Sequence, residues 1–390
     1  METITIVVVA FNRPDSLKRN LKALLKADYP GKVRLVISID KGNNKHVLDI
    51  ANSFDWKYGE KIVIYQKENI GLRRHILKCG DLTNQYGNII LLEDDIYVSP
   101  NFYNFALQAL EFYQDHKEIA GISLYSPRFN ETASLPFEPL QSNYDVFFSQ
   151  LPSSWGQLWT ASQWNDFRNW YNNESNLKIK PDDYNLPDNV KKWPESSWKK
   201  YFIKYMVDNQ KFFVYPYISL TTNFGDIGTH FWRKNNAFQV PLSYNIKKEF
   251  KFCRLDETNV RYDVFNENIG IIEIFDKEIR NNITVDLYGK KSEKAYKKYL
   301  LTTKKLNYHI IKQYDLTMKP IEDNILQNIP GNSIFLYDTT KIVKNRYTST
   351  TINIEEYFYG HLNPTLLAKL LFNKQLFLSI LKRILKRGLK

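Results

Sequence analysis

The 390-residue chain has only two cysteines, Cys79 and Cys253. Two thiols build neither a disulfide framework nor a thiolate metal centre, and they fit a reducing cytoplasm. Long apolar runs are also missing, and none approaches the roughly 20 residues of a membrane-spanning helix. Met1-Glu2-Thr3-Ile4 runs straight into a strand pattern, without the charged region and cleavage site of a secretory leader. Glycine is absent from the turn after the first apolar run, Asn12-Arg13-Pro14-Asp15, which argues against the Gly-rich phosphate loop of a nucleotidyltransferase. The formal net charge of +12 comes without zinc-finger spacing, a basic region with heptads or a ribonucleoprotein sheet motif. No nucleic-acid partner is therefore expected. The rival, a basic nucleic-acid-binding protein, would show salt-dependent binding that Asp95→Ala leaves unchanged.

Hydrophobic residues (43%) and charged residues (25%) are present in globular proportions, and aromatics are high at 15%. The first 100 residues alternate two patterns. Ile4 to Ala10, Val33 to Ile39, Lys61 to Tyr65 and Ile89 to Leu92 read as strands. Leu17, Leu21, Leu24 and Leu25, then Val47 to Phe54, then Leu72, Ile76 and Leu77 read as intervening helices. This alternation predicts an α/β domain with a mainly parallel sheet flanked by helices. The strand ends near Arg13, Asp40, Asn69 and Glu93-Asp94-Asp95 should gather on one edge.

The last of these carries the chemistry. In Ile89-Ile-Leu-Leu-Glu93-Asp94-Asp95, three carboxylates follow a buried strand, and Ser99-Pro100 then predicts a helix start. Adjacent acids repel one another, more so when partly buried. Their hard oxygens suit Mg²⁺ or Mn²⁺ shared with a phosphate-bearing substrate. The plain alternative is a solvated acidic turn.

Residues 126–145 read as a long loop. From about 240 the pattern weakens: 271–275, 283–287 and 334–337 are possible strands, and 293–314 looks helical and basic. This gives three expected segments: 1–240, an α+β extension over 241–362, and a tail over 363–390. On the tail, Leu367, Leu370, Leu371, Phe377, Leu378, Leu381, Ile384 and Leu385 share one helical face. Lys369, Lys374, Lys382, Arg383, Lys386, Arg387 and Lys390 surround that face. Such a helix suits an anionic membrane surface and a peripheral place at its inner face. Docking on its own domain and a homodimer contact are the alternatives.

Several motifs then occur in order: Val7-Val8-Val9-Ala10-Phe11-Asn12-Arg13-Pro14, Ile37-Ser38-Ile39-Asp40, Asn69-Ile70-Gly71-Leu72, Leu92-Glu93-Asp94-Asp95, Ser153-Ser154-Trp155-Gly156, Asn223-Phe224-Gly225 and Thr229-His230. Together they resemble a GT-A glycosyltransferase of the N-acetylglucosaminyltransferase I-like kind, nearest to bacterial enzymes of surface polysaccharide synthesis. The resemblance implies a nucleotide-sugar donor, expected to be UDP-linked, and a glycan or lipid-linked glycan acceptor. It also implies inversion at the sugar. By the same resemblance Asp95 would ligate the cation, with His230 as a further candidate ligand or lid residue. Glu93 and Asp94 would contact sugar and ribose hydroxyls, Asp40 the base or ribose, and Arg13 the diphosphate. Asn69 belongs to the donor group, and Trp155 would wall the donor or acceptor pocket. The family pattern also places a catalytic Asp two residues before a Trp, here Trp198, where this chain has Ser196. Glu195, one position earlier, is the expected base, with Asp226 and Asp208 as alternatives. If none serves, the chain would be an inactive partner of an active transferase.

Overall fold

In the computed structural model of the protein, the structure describes residues 3–226, 236–244, 247–347 and 352–360, with single positions at 363, 365, 368 and 372. The first half alternates as expected: β1 (Ile4–Ala10), α1 (Pro14–Leu24), β2 (Leu35–Ile39), α2 (His46–Ser53), β3 (Lys61–Tyr65), α3 (Leu72–Gly80), a single turn α4 (Thr83–Tyr86) and β4 (Asn88–Glu93). There follow β5 (Ile96–Val98), α5 (Phe102–Tyr113), β6 (Ile119–Ser123), a short hairpin of β7 (Phe129–Asn130) and β8 (Leu135–Pro136), β9 (Val146–Ser149) and β10 (Gln157–Trp159). Then come α6 (Ala161–Tyr171), α7 (Asp188–Lys191), α8 (Trp198–Asp208), β11 (Phe212–Pro216), β12 (Thr221–Asn223) and β13 (Arg261–Tyr262).

Nine strands form one sheet in the order β13-β9-β11-β6-β10-β4-β1-β2-β3. The β4-β1-β2-β3 block is parallel throughout, while β10 runs antiparallel to both β4 and β6. Side-chain alternation builds the two layers. Ile6, Val8, Ile90 and Leu92 face α1, α2 and α5, where Leu17, Leu21, Val47, Phe102 and Phe105 cover them. Val7, Val9, Ile89 and Leu91 face the other way, onto Ile76, Trp164, Phe167 and Phe202 of α3, α6 and α8. Each fully buried aliphatic side chain contributes about 1.5–3 kcal/mol. The sheet is thus fixed from both faces, as a mainly parallel sheet requires.

The outermost strand, β13, comes from beyond residue 240, and Phe250, Phe252 and Leu255 pack on the same core. A second sheet, in the order β14-β15-β17-β16, uses β14 (Ile283–Asp286), β15 (Tyr299–Thr302), β16 (Tyr308–Tyr314) and β17 (Ile334–Ile342).

The structure corrects several local expectations. Residues 293–314 hold β15 and β16 rather than a basic helix, because β16 buries little but its ends and alternates poorly in sequence. Residues 269–274 form a 3₁₀ helix rather than a strand. The helix expected at Ser99-Pro100 starts at Phe102, with Asn101 at its N-cap. Ser99 instead follows β5 and donates its hydroxyl to the Ser243 carbonyl. Most of the 363–390 tail lies outside the described residues, and no helix among the described residues is long and apolar enough to cross a membrane.

Candidate functional site

The parallel register brings the expected cluster together. Val9 lies opposite both Ser38 and Glu93, so β1, β2 and β4 end level at one edge. The Asp40 carboxylate there is buried. It accepts from the backbone N–H groups of Lys41 (2.9 Å), Ile70 (2.9 Å) and Gly71 (3.0 Å), and so ties the loop after β3 to the end of β2. Asn69 is exposed in that loop, and its Oδ1 accepts from the Gly71 N–H at 3.0 Å.

Arg13 precedes Pro14 at the start of α1 and reaches across to the acids. One guanidinium nitrogen donates to Asp95 Oδ2 at 2.8 Å, and another donates to Asp94 Oδ1. Burial works against the Arg13 charge, and the two carboxylates outweigh it, so its pKa is raised. The acids remain crowded all the same. Burial, then the Asp95 charge, pushes the Glu93 carboxyl up to about 8. Burial also pushes Asp94 up to about 6, against the pull of Arg13. The Asp95 side chain is 17% exposed, against 3% for Asp94, and so is the acid of this pair on the rim.

Asp95 also meets the loop after β12. The Phe224 N–H donates to the Asp95 carbonyl at 3.2 Å, and β12 pairs antiparallel with β5. Phe224 stacks under Arg19 at 4.1 Å, and the same Arg19 pairs with Asp226. The segment Phe224-Gly225-Asp226 therefore begins beside Asp95. His230 lies outside the described residues.

A cavity of about 50 Å³ is lined by Tyr125, Glu131, Trp155, Trp193, Lys199 and Tyr215, among others. The Trp155 carbonyl accepts the Thr221 hydroxyl at 2.5 Å. Gly156, at φ +101°, lets the chain turn there: a Cβ would stand 2.9 Å from the Thr221 methyl and 3.3 Å from Leu92. Lys199 sits 5.6 Å from the Trp155 ring centre and 5.5 Å from that of Trp193, and its charge reaches Glu93. Trp159, Trp164 and Trp198 are core residues instead.

Glu195 lies apart from the cavity. Its side chain is 72% exposed and accepts from Lys200 Nζ at 2.9 Å and from the Tyr201 hydroxyl. Its position gives no support to the role of base. Glu131, Tyr125 and Lys199 were not singled out from the sequence. The signal available was the unusually long 126–145 loop, in whose hairpin turn Glu131 stands.

Carboxylate oxygens are the right donors for a hard divalent cation. Among the described residues, no three His, Cys, Asp or Glu side chains are grouped to hold an ion by themselves. Three carboxylates nevertheless stand beside one guanidinium, which pairs with two of them, and burial first, then the neighbouring acids, raises Glu93. The residues fit an ion held by one or two of their oxygens, with the rest of its shell supplied by a bound phosphate.

Residues 5–153 match the model of Glycosyl transferase family 2. An Arabidopsis thaliana protein, an alpha-1,3-mannosyl-glycoprotein 2-beta-N-acetylglucosaminyltransferase, is 22% identical over 265 residues, which is 63% of this chain and 52% of that protein. The chain therefore spans about half the length of this curated relative. The solved structure of S. aureus TarS 1-349 in complex with UDP is 11% identical, with a TM-score of 0.34 over 55% of this chain and 60% of that one. GalNAc-T7 with UDP, GalNAc and Mn2+ is 12% identical, with a TM-score of 0.38 over 56% and 43%. Residues 5–153 are thus similar to family 2 glycosyltransferases, and the acid-bearing edge of the sheet lies within the matched stretch.

Proposed function

We propose that the protein transfers a sugar from a UDP-sugar to a hydroxyl of a glycan or lipid-linked glycan, with inversion and with the help of Mg²⁺ or Mn²⁺. The observation that carries this reading is the acid triplet Glu93-Asp94-Asp95, level with the ends of two neighbouring parallel strands and only partly neutralised by Arg13. The name of the plant relative supports the reaction class.

Asp95, on the rim, would hold the ion jointly with the donor diphosphate. His230 is a further candidate ligand. Such an ion offsets negative charge that grows on the departing nucleotide. Arg13 would turn one or both of its donors to the same phosphates, a charge-assisted contact that strengthens as the leaving group ionises. Glu93 and Asp94 would accept from sugar and ribose hydroxyls, and Asp40, with the Asn69 loop it anchors, would border the base or ribose. Trp155 would offer its ring to an apolar sugar face. A role in surface polysaccharide or glycoconjugate assembly, at an anionic membrane reached through the basic tail, completes the proposal.

UDP release from UDP-glucose, UDP-galactose and their N-acetylamino counterparts tests it. Release with Mn²⁺ that EDTA stops and added Mn²⁺ restores is the expected result. No release from any of the four, with and without a glycan acceptor, would count against the transfer reading.

A further inference from the structure

Inverting transfer needs a group that takes the acceptor proton as the new bond forms. The structure assigns this task to Glu131. The inference rests on the transfer reading above and adds the residue that reading lacks.

Three observations single out Glu131. It lines the cavity together with Lys199 and with Trp155, the residue before the Gly156 that packs against Leu92, whereas the Glu195 carboxylate is engaged elsewhere by Lys200 and Tyr201. The volume of about 50 Å³ suits a hydroxyl group or a water molecule, which is the part of an acceptor that must be deprotonated. The backbone that carries Glu131 is also held in place. Asn130, just before it, is fully buried, and its side-chain oxygen caps the N–H groups of Thr132 and Ala133 at 3.0 Å each. The Asn130 amide nitrogen donates to the Phe265 carbonyl at 3.4 Å.

Lys199 completes the arrangement. Its ammonium lies 3.7 Å from Glu131 Oε1, beyond a direct hydrogen bond, and its stem runs between the Trp155 and Trp193 rings. At that distance its positive charge stands close to Glu131 without occupying the carboxylate's lone pairs. Its charge also reaches Glu93. Lys199 is a positioning residue, whereas Glu131 would touch the acceptor.

The step balances as follows. The acceptor oxygen bonds to the anomeric carbon and its proton passes to a Glu131 oxygen. The bond from the anomeric carbon to the phosphate oxygen breaks, and its electron pair leaves with UDP.

The test compares wild type, E131Q, E131A and E195Q in Mn²⁺-dependent release of UDP from the UDP-sugar that the wild type turns over, with water or a glycan as acceptor. UDP binding by thermal shift serves as the folding control. E131Q should bind UDP as the wild type does and lose about 10²–10⁴-fold in turnover. Sodium formate, a small carboxylate, should restore part of the loss in E131A, which a merely structural role for Glu131 would not allow. E131Q within twofold of wild type would overturn the assignment and leave the transfer reading standing. Loss of turnover in E195Q with turnover kept in E131Q would do the same and return the role to Glu195. No UDP release from the wild type would overturn the transfer reading, and this assignment with it.

Discussion

Two clusters of acids in this protein have opposite fates. In the first, at the sheet edge, Asp94 and Asp95 share the guanidinium of Arg13, whose charge also reaches Glu93. In the second, Asp263, Glu267 and Asp286 lie between β13 and the second sheet. Lys291 pairs with Asp263 at 2.5 Å, and Lys304 pairs with Asp286 at 3.0 Å. Glu267 accepts from the N–H groups of Leu287 and Tyr288 at 2.8 Å each. Every acid of the second cluster thus has a cation or backbone donors of its own, and the cluster joins chain segments. The first leaves one acid on the rim and is short of positive charge. Closed networks stabilise a fold, and open ones are where a charged ligand gains most by binding.

The largest stability effect is expected in the closed cluster. Lys291→Met leaves Asp263 buried without its cation and should cost about 3–5 kcal/mol in urea unfolding. UDP binding per folded molecule should be unchanged; a lost UDP site would break the distinction between the two clusters. Arg13→Ala should act the other way round. Turnover of the UDP-sugar should fall about 10²–10³-fold, the loss typical of removing one transition-state donor, while the protein remains folded by circular dichroism. Unchanged turnover would place Arg13 among the merely structural cations.

A smaller effect concerns Glu322, which is buried, and whose Oε2 has no hydrogen-bond partner among the described residues. Burial raises its carboxyl to about 7 from the ordinary 4.5. A raised carboxyl contributes stability that is fully present below pH 4.5 and is lost as the pH climbs through about 7. The difference sets a ceiling of about 3 kcal/mol. Glu322→Gln should flatten that part of the stability profile between pH 4.5 and 8. An unaltered slope would show that the dependence arises elsewhere.

The donor edge was legible in the sequence because it is local. A fully apolar strand followed at once by three acids predicts both a buried strand and a polar tip, and β1, β2 and β4 place Arg13, Asp40 and Glu93 together by register alone. The cavity was not legible. Glu131 and Lys199 are 68 residues apart and meet only because the β7–β8 hairpin and the start of α8 line the same cavity. The Asn130 turn that fixes Glu131 looks in sequence like any Asn-containing loop. The second sheet was misread for a different reason. β15 is fully buried and β16 is largely exposed, so neither shows the strict alternation that marks a strand buried on one face.

The central claim is that the acid triplet, with Arg13 as its one paired cation, takes up a divalent ion that bridges Asp95 to a nucleotide diphosphate. Calorimetric titration of UDP into the protein, with and without Mn²⁺, tests it most directly, using the wild type and Asp95→Ala. The expected result is UDP binding strengthened at least tenfold by Mn²⁺ in the wild type and indifferent to Mn²⁺ in the variant. Equal affinity with and without Mn²⁺ in the wild type, or an undiminished Mn²⁺ effect in Asp95→Ala, would contradict it.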